Sequence, residues 1–454
     1  MPPLATTTHT TPDTLTTRPR ATLAVTAAAT AIALMNYTAP MLTLPDMAAA
    51  FGTPASAQAW LLNGTPLGLA VLLLVAGSLA DAHGRRRIFL LGTLALGLTT
   101  ALGALADSTL TFTLARIAQG AASAAVLAGS LGLLAHAYPA GRDRIRATGI
   151  WGASVSAGIA LGPLLAGALS LVDWRLAYGT LGAAALVIAA TGTRTLARDG
   201  APTGKGRPDI AGALTLGLAL AALLTALTLG RDGWLRPPVG LLLLASAALT
   251  ALFATVEHRS RKPMIDLALL RRPAFLASTL GALFTGLAVI GLFSVVPALL
   301  QSGAGMSPLA SAWLFLLWSG TAFVAALQAR RLAGRLSAAH QLAVGFTLSA
   351  AGILALLGGL EGPWQRLLPG LLVAGTGSGL LNAALPRLAV DSVPPEQAAM
   401  GSGANNTARY IGSSAGVALT LALVTTGPDT ALLVTAGLAL TGAALTLALG
   451  RGRG

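Results

Sequence analysis

No cysteine occurs anywhere in the 454 residues, which excludes disulfides and thiolate metal sites and leaves the compartment open. Charge is scarce too. Asp, Glu, Lys and Arg make up 10% of the chain against 54% hydrophobic residues, more apolar surface than a water-soluble core of this length buries. The shortage falls hardest on acids, with 15 Asp and Glu against 29 Lys and Arg, for a net charge of +14. Nucleic-acid binders spread such an excess over a wet face interleaved with aromatics. Here aromatics are only 5% and the cations sit between apolar runs, so nucleic acid is excluded as a partner. Grouped His, Asp and Glu with metal-ligand spacing are also missing, and His136 and His340 fall at helix ends, so neither a metal nor a cofactor is expected. The remaining solvent for this composition is the lipid bilayer.

What is present is a train of apolar runs. A helix needs about 20 apolar residues to cross ~30 Å of hydrocarbon. Cutting the chain at charged, Pro or Gly breaks predicts fourteen spans: 22–42, 60–80, 88–106, 111–134, 147–170, 177–193, 210–229, 238–256, 275–299, 309–328, 341–359, 367–389, 404–425 and 429–449. The expected fold class is all-α integral membrane with fourteen transmembrane helices. With both termini cytoplasmic, 23 Lys and Arg fall in tails and inner loops. Four (Arg175, Arg231, Arg236 and Arg366) fall in outer loops, and Arg116 and Arg409 lie inside spans. That bias fixes the expected orientation. Residues 1–20 are Thr- and Pro-rich and read as a disordered cytoplasmic tail. The run after them is too long for a signal-peptide core, and no small-residue cleavage site closes it.

The second span ends in a charged hinge, Gly77-Ser78-Leu79-Ala80-Asp81-Ala82-His83-Gly84-Arg85-Arg86-Arg87. A weak echo, Gly334-Arg335-Leu336-Ser337-Ala338-Ala339-His340, follows the tenth span, with Ala338 where Asp81 stands. The hinge resembles the loop between the second and third helices of the major facilitator superfamily. Fourteen spans resemble its drug/proton antiporter branch, over residues 20 to 450. The resemblance implies a six-helix bundle at 21–196, an inserted helix pair with its flanking loops at 197–273, and a second six-helix bundle at 274–450, related by a parallel repeat. It also implies a gate made of Gly77, Asp81, Gly84, Arg85 and Arg86, with Asp81 meeting the positive helix end near Gly401 to Ala404. Arg85 to Arg87 also serve topology.

Three further stretches carry the resemblance. Arg116, Gln119 and Gly120 match an RxxQG motif, and an arginine inside hydrocarbon is costly unless it reaches a partner or a wet cavity, so Arg116 and Gln119 are expected on the transport path. Snorkelling of Arg116 to the outer interface is the competing reading. Gly158, Gly162, Pro163 and Gly167 resemble the antiporter helix motif, in which small residues form a flat packing ridge and proline bends the helix; this favours export over uptake. In the first span, Asn36 stands where that branch carries an acid, level with Arg116. An amide hydrogen-bonds a guanidinium but carries no proton.

All fifteen acids fall in tails, loops or helix ends, so no carboxylate is expected at the bilayer midplane. Proton coupling must then use a peripheral group such as Asp46 or Asp81, or act through substrate exchange. A neutral or anionic small molecule is favoured over a lipophilic cation. Gly375 to Gly379 with Asn382, and Asn405, Asn406, Thr407, Arg409 and Tyr410, either line a cavity or cross-link helices, with Arg409 a path candidate. Trp313 and Trp318 are read as space-filling. The expected function is export of small amphipathic, drug-like molecules across the cytoplasmic membrane by alternating access, coupled to proton influx. The alternative is a non-transporting sensor or facilitator that kept the fold. An enzyme is excluded because no span sets a nucleophile beside a base.

Overall fold

The computed structural model describes residues 19–138, 142–197, 210–230, 233, 235–260, 267–332, 336–394 and 398–450. Residues 1–18 of the expected tail, Gly334 and Arg335 of the echo, all of the loop 198–209 and the side chain of Asp81 lie outside this description.

Among the described residues all regular structure is helical. The helices are α1 (Pro19–Thr38), α2 (Pro40–Phe51), α3 (Gln58–His83), α4 (Arg85–Ala104), α5 (Thr109–Ala137), α6 (Arg142–Leu169), α7 (Arg175–Thr195) and α8 (Ile210–Gly230). They continue as α9 (Pro237–Arg259), α10 (Pro273–Phe284), α11 (Gly291–Ser302), α12 (Pro308–Leu332), α13 (Ala338–Leu354), α14 (Leu367–Asp391), α15 (Ala398–Val424) and α16 (Pro428–Gly450). A π-helical turn, Thr285–Ile290, joins α10 to α11. With α10, the π-helical turn and α11 taken as one, eleven of the described helices are long and apolar enough to cross a membrane, and three shorter apolar stretches occupy 58–73, 214–230 and 338–354. Their outer faces fit lipid and not water: Leu98 is 50% exposed, Leu102 60% and Leu244 68%. The chain is a multi-pass membrane protein.

Two expected boundaries change for identifiable reasons. The first apolar run does not end at 42 but breaks at Ala39 and continues to Phe51. Pro40 has no N–H to give the Asn36 carbonyl, so the ladder is interrupted there and proline opens a new helix. The run expected to reach 359 stops at Leu354, and turns with Gly358 at φ +66 follow. The α3–α4 hinge is a single residue, Gly84, with φ +101, a value that side-chain-bearing residues avoid.

Helix contacts fall into two sets. In the first, α1 packs on α5, α6 and α7, α3 on α5, and α4 on α5 and α7; in the second, α13 packs on α14 and α16, α12 on α14, and α10 on α15 and α16. The sets meet through α3 with α15, α6 with α12, and α2 with α11, while α8 pairs with α9 and rests on α3 and α15. Pro19 shares a surface hollow with Tyr138 and Asp143, and Gly450 shares another with Ser337 and Asp391, which marks one end of the molecule.

Candidate functional site

The break in α1 positions two polar clusters. In the first, α5 approaches α3 so closely that a Cβ on Gly64 would lie 2.6 Å from that of Arg116, which leaves Arg116 only 1% exposed. Arg116 Nη1 donates to Gln119 Oε1, and the guanidinium carbon lies 5.9 Å from the centre of the Tyr178 ring. Gln119 Nε2 in turn donates to Asn36 Oδ1 and to Thr100 Oγ1, each at 2.7 Å. Asn36 and Arg116 therefore share a level, as their positions in the sequence suggest, but the amide reaches the guanidinium through Gln119 and not directly. Arg116 does not snorkel: Nε and Nη2 are buried without a hydrogen-bond partner. This cluster joins α1, α4 and α5 inside the first set and does not line the central cavity.

The second cluster does. A cavity of about 60 Å³ lies between the sets, and Tyr37, Phe293, Trp318, Asn382, Arg409 and Tyr410 are part of its wall. Tyr37 and Ser413 share a hydrogen bond of 3.1 Å between their hydroxyls, and the Tyr37 ring meets Tyr410 edge-on with centroids 5.9 Å apart. The Arg409 guanidinium carbon lies 5.5 Å from the Tyr410 ring centre and Nη2 donates to Asn406 Oδ1 at 3.0 Å. Trp318 stacks on Phe293 with centroids 4.3 Å apart and planes 8° from parallel. Trp318 fills space in the core, as expected, and also lines the cavity, while Trp313, 58% exposed, faces outward and fills no interior space.

Both readings of the second-half polar residues hold, for different members. Asn405 Nδ2 cross-links α15 to α10 through the Ser278 carbonyl at 3.0 Å, whereas Asn382, Ser378, Arg409 and Tyr410 line the cavity. The backbone is adapted at the same level. Gly286, in the π-helical turn, abuts the Arg409 carbonyl, so a side chain there would collide with α15.

On α6, a Cβ on Gly158 would stand 2.5 Å from the Ala31 carbonyl, and Gly162 abuts Thr38 and Met35, so these glycines seat α6 on α1. Pro163 withholds an N–H from Ile159, whose side chain lines the cavity. Gly167 reaches across to the second set, where its Cβ would be 2.9 Å from the Pro308 carbonyl.

Among the described residues the sets also meet through side chains away from the hollows at Pro19 and Gly450. Asn63 Nδ2 donates to the Ser414 carbonyl at 3.1 Å and Gln301 Nε2 donates to the Leu42 carbonyl at 3.0 Å. At the other end, nothing among the described residues lies within 4 Å of a Cβ position on Gly77 of α3. Gly401 packs on Ala389 of α14. Arg85 Nη1 donates to the Gly132 carbonyl at 3.2 Å, and Arg86 caps the carbonyl end of α7 through Leu196 at 3.1 Å and Thr193 at 2.8 Å. These arginines brace the first set.

At the remote end Asp46 is half-buried, and desolvation, with repulsion from Asp173 second, lifts its carboxyl above the ordinary carboxylate value. Tyr37 escaped sequence reasoning, whereas Tyr410 was among the candidates. The available signal was position: Tyr37, one of only four tyrosines, directly follows Asn36.

The chain belongs to the Major Facilitator Superfamily, whose model matches residues 26–417, and its class is a membrane transporter and not an enzyme. It is 32% identical to the multidrug resistance protein Stp of Mycobacterium tuberculosis over 83% of this chain and 70% of that protein. It is also 32% identical to the puromycin resistance protein of Streptomyces alboniger, over 91% of this chain and 83% of that one. With the cephamycin export protein of Amycolatopsis lactamdurans it shares 31% identity over 90% and 86% of the two chains. The fold matches a bacterial homolog of the human lysosomal transporter Spinster, in an inward-facing and unoccupied conformation, with a TM-score of 0.69 at 16% identity and coverage of 97% and 98%. It also matches a peptide transporter in complex with sulfate, with a TM-score of 0.72 at 17% identity and coverage of 95% and 94%.

Proposed function

We propose that this chain exports small amphipathic, drug- or antibiotic-like molecules across the cytoplasmic membrane by alternating access. The observation that carries this reading is the central cavity, walled by both helix sets, which meet beside it through Tyr37 and Ser413 and further through Asn63 with Ser414 and Gln301 with Leu42. The eleven long helices and three shorter apolar stretches make fourteen spans, both termini are cytoplasmic, and the drug/proton antiporter branch is the nearest kind. Residues 21–196 and 274–450 form the two six-helix bundles, with 197–273 the inserted pair. The conformation is then closed outward, and at about 60 Å³ the cavity is far below the roughly 300–1,000 Å³ of drug-sized sites, so the bundles part before substrate enters. The resistance and export functions in the relatives' names favour efflux.

In this reading Gly77, Asp81, Gly84, Arg85 and Arg86 form the cytoplasmic gate, and Gly158, Gly162, Pro163 and Gly167 the bend about which α6 moves. Arg409 contacts substrate. Asn36, Arg116 and Gln119 brace the wall from behind. Proton influx uses Asp46, the peripheral acid whose carboxyl burial lifts above the ordinary carboxylate value. The substrate is neutral or anionic. Reconstitution into proteoliposomes with a compound panel and an imposed pH gradient tests this: accelerated flux under the gradient is expected, and flux of nothing in the panel would defeat the carrier.

A further inference from the structure

The central cavity is rich in donors and short of acceptor charge. Arg409 Nη2 is committed to Asn406, but Arg409 Nε is buried with no hydrogen-bond partner. Trp318 Nε1, on a side chain 6% exposed, is also unpartnered, and both residues line the same cavity. The neighbouring hydroxyl hydrogens are spent locally, Thr38 on the Leu34 carbonyl at 3.1 Å and Ser294 on the Ile290 carbonyl at 2.7 Å. Among the described residues no Asp or Glu lines the cavity, so the guanidinium has no counter-charge there. A buried donor without an acceptor, and a cation without an anion in a low-dielectric interior, both favour a ligand that brings negative charge.

The rest of the wall sets the shape of that ligand. Trp318 is held by its stack on Phe293 and by Phe315, whose ring centre lies 5.2 Å away, while Tyr37 and Tyr410 stand edge-on across the bundle interface. Rings that are already fixed lose little freedom when another ring packs on them.

We propose that this cavity binds aromatic organic anions, with the anionic group received by Arg409 Nε and Trp318 Nε1 and the ring system packed among Tyr37, Phe293 and Tyr410. The proposal deepens the carrier reading by naming the substrate class of the same site. A neutral isostere meets the same rings but leaves Arg409 uncompensated, and a cation is repelled by it. Because the present cavity holds about 60 Å³, the ring enters after the sets separate and is enclosed as they close.

Equilibrium binding to the full-length protein in detergent separates this inference from transport itself. The probes are naphthalenesulfonate and naphthalenesulfonamide, which share a ring and differ in charge near neutral pH. The sulfonate should bind about tenfold more tightly or better. Arg409→Gln should erase that preference and Arg409→Lys should keep most of it. Asn406→Asp, which supplies Arg409 with an internal carboxylate, should erase it without removing the arginine, so the inference stays testable if Arg409→Gln fails to fold. Equal affinity for the two probes, or a preference that survives in folded Arg409→Gln or Asn406→Asp, overturns it. Sulfonate binding without flux of any compound in proteoliposomes supports the anion site and defeats the carrier. Flux of neutral compounds by a protein without sulfonate preference defeats the anion site alone.

Discussion

Tyr37 and Ser413, separated by 376 positions in the chain, share a hydrogen bond of 3.1 Å between their hydroxyls at the centre of the molecule. It ties the break in α1 to the middle of α15 beside the cavity. Any separation of the two helix sets must break it.

Tyr37→Phe should therefore loosen the present conformation while leaving the fold intact. A hydrogen bond of this kind contributes about 1 kcal/mol, so the balance between conformations should shift roughly fivefold toward the one open at the Asn63–Ser414 end. Since the chain has no cysteine, single introduced cysteines near that end report the shift by their alkylation rates without background. Unchanged rates would show that the bond does not restrain the motion.

The buried chain of amides makes a different prediction. Gln119→Ala removes the acceptor of Arg116 and the donor to Asn36 together, leaving a cation that is 1% exposed with no hydrogen bond to its guanidinium. Thermal unfolding in detergent should show a loss of about 3 kcal/mol, and Arg116→Met should restore part of it in the double variant. Asn36→Asp places an acid one amide away from Arg116 but behind the cavity wall, so it should leave the substrate range unchanged. Additive losses in the double variant, or a gained preference for cationic substrates, would contradict this arrangement.

The glycines of the two motifs should behave oppositely. Gly162→Ala forces a methyl into Thr38 and Met35 and should destabilise the protein by about 1–3 kcal/mol. At Gly77 nothing lies within 4 Å, so Gly77→Ala should be neutral or slightly stabilising, as alanine is in a helix, yet slow transport if closure at that end brings α15 close. Melting temperature and flux measured on the same preparations check both.

Asp46 predicts a pH dependence. Its carboxyl is lifted by burial first and by Asp173 second, so folding strengthens its hold on a proton. Below the ordinary carboxylate value the group is protonated in folded and unfolded chains alike and the contribution is fully present. As pH rises through the lifted value, the folded state must ionise a half-buried acid and that stability is lost. Asp46→Asn should flatten this fall in thermal unfolding between acidic and neutral pH. In transport it should remove the response to a pH gradient while leaving downhill flux, and a full response in the variant would assign coupling elsewhere.

Much of this was legible in the sequence because hydrocarbon imposes strong local rules. Apolar runs, the cation bias and the Gly84 hinge follow from desolvation and backbone sterics, which act over a few residues. The shared level of Asn36 and Arg116 follows from counting helix turns. What could not be read was which side chain meets which. That Gln119 mediates between Asn36 and Arg116, that Asn405 cross-links while Arg409 lines the cavity, and that Trp318 faces inward while Trp313 faces outward depend on helix rotation, set by packing of distant segments. The break at Ala39 was written in Pro40, but an apolar run continues through it and hides the interruption.

The central claim, that the two helix sets part and close around the cavity, is tested most directly by locking the end where they now touch. Asn63→Cys with Ser414→Cys replaces a contact of 3.1 Å with a bridge that oxidation closes and reductant opens. The account predicts that oxidised proteoliposomes carry no substrate and that reduction restores flux. Undiminished flux through the fully oxidised protein would contradict it.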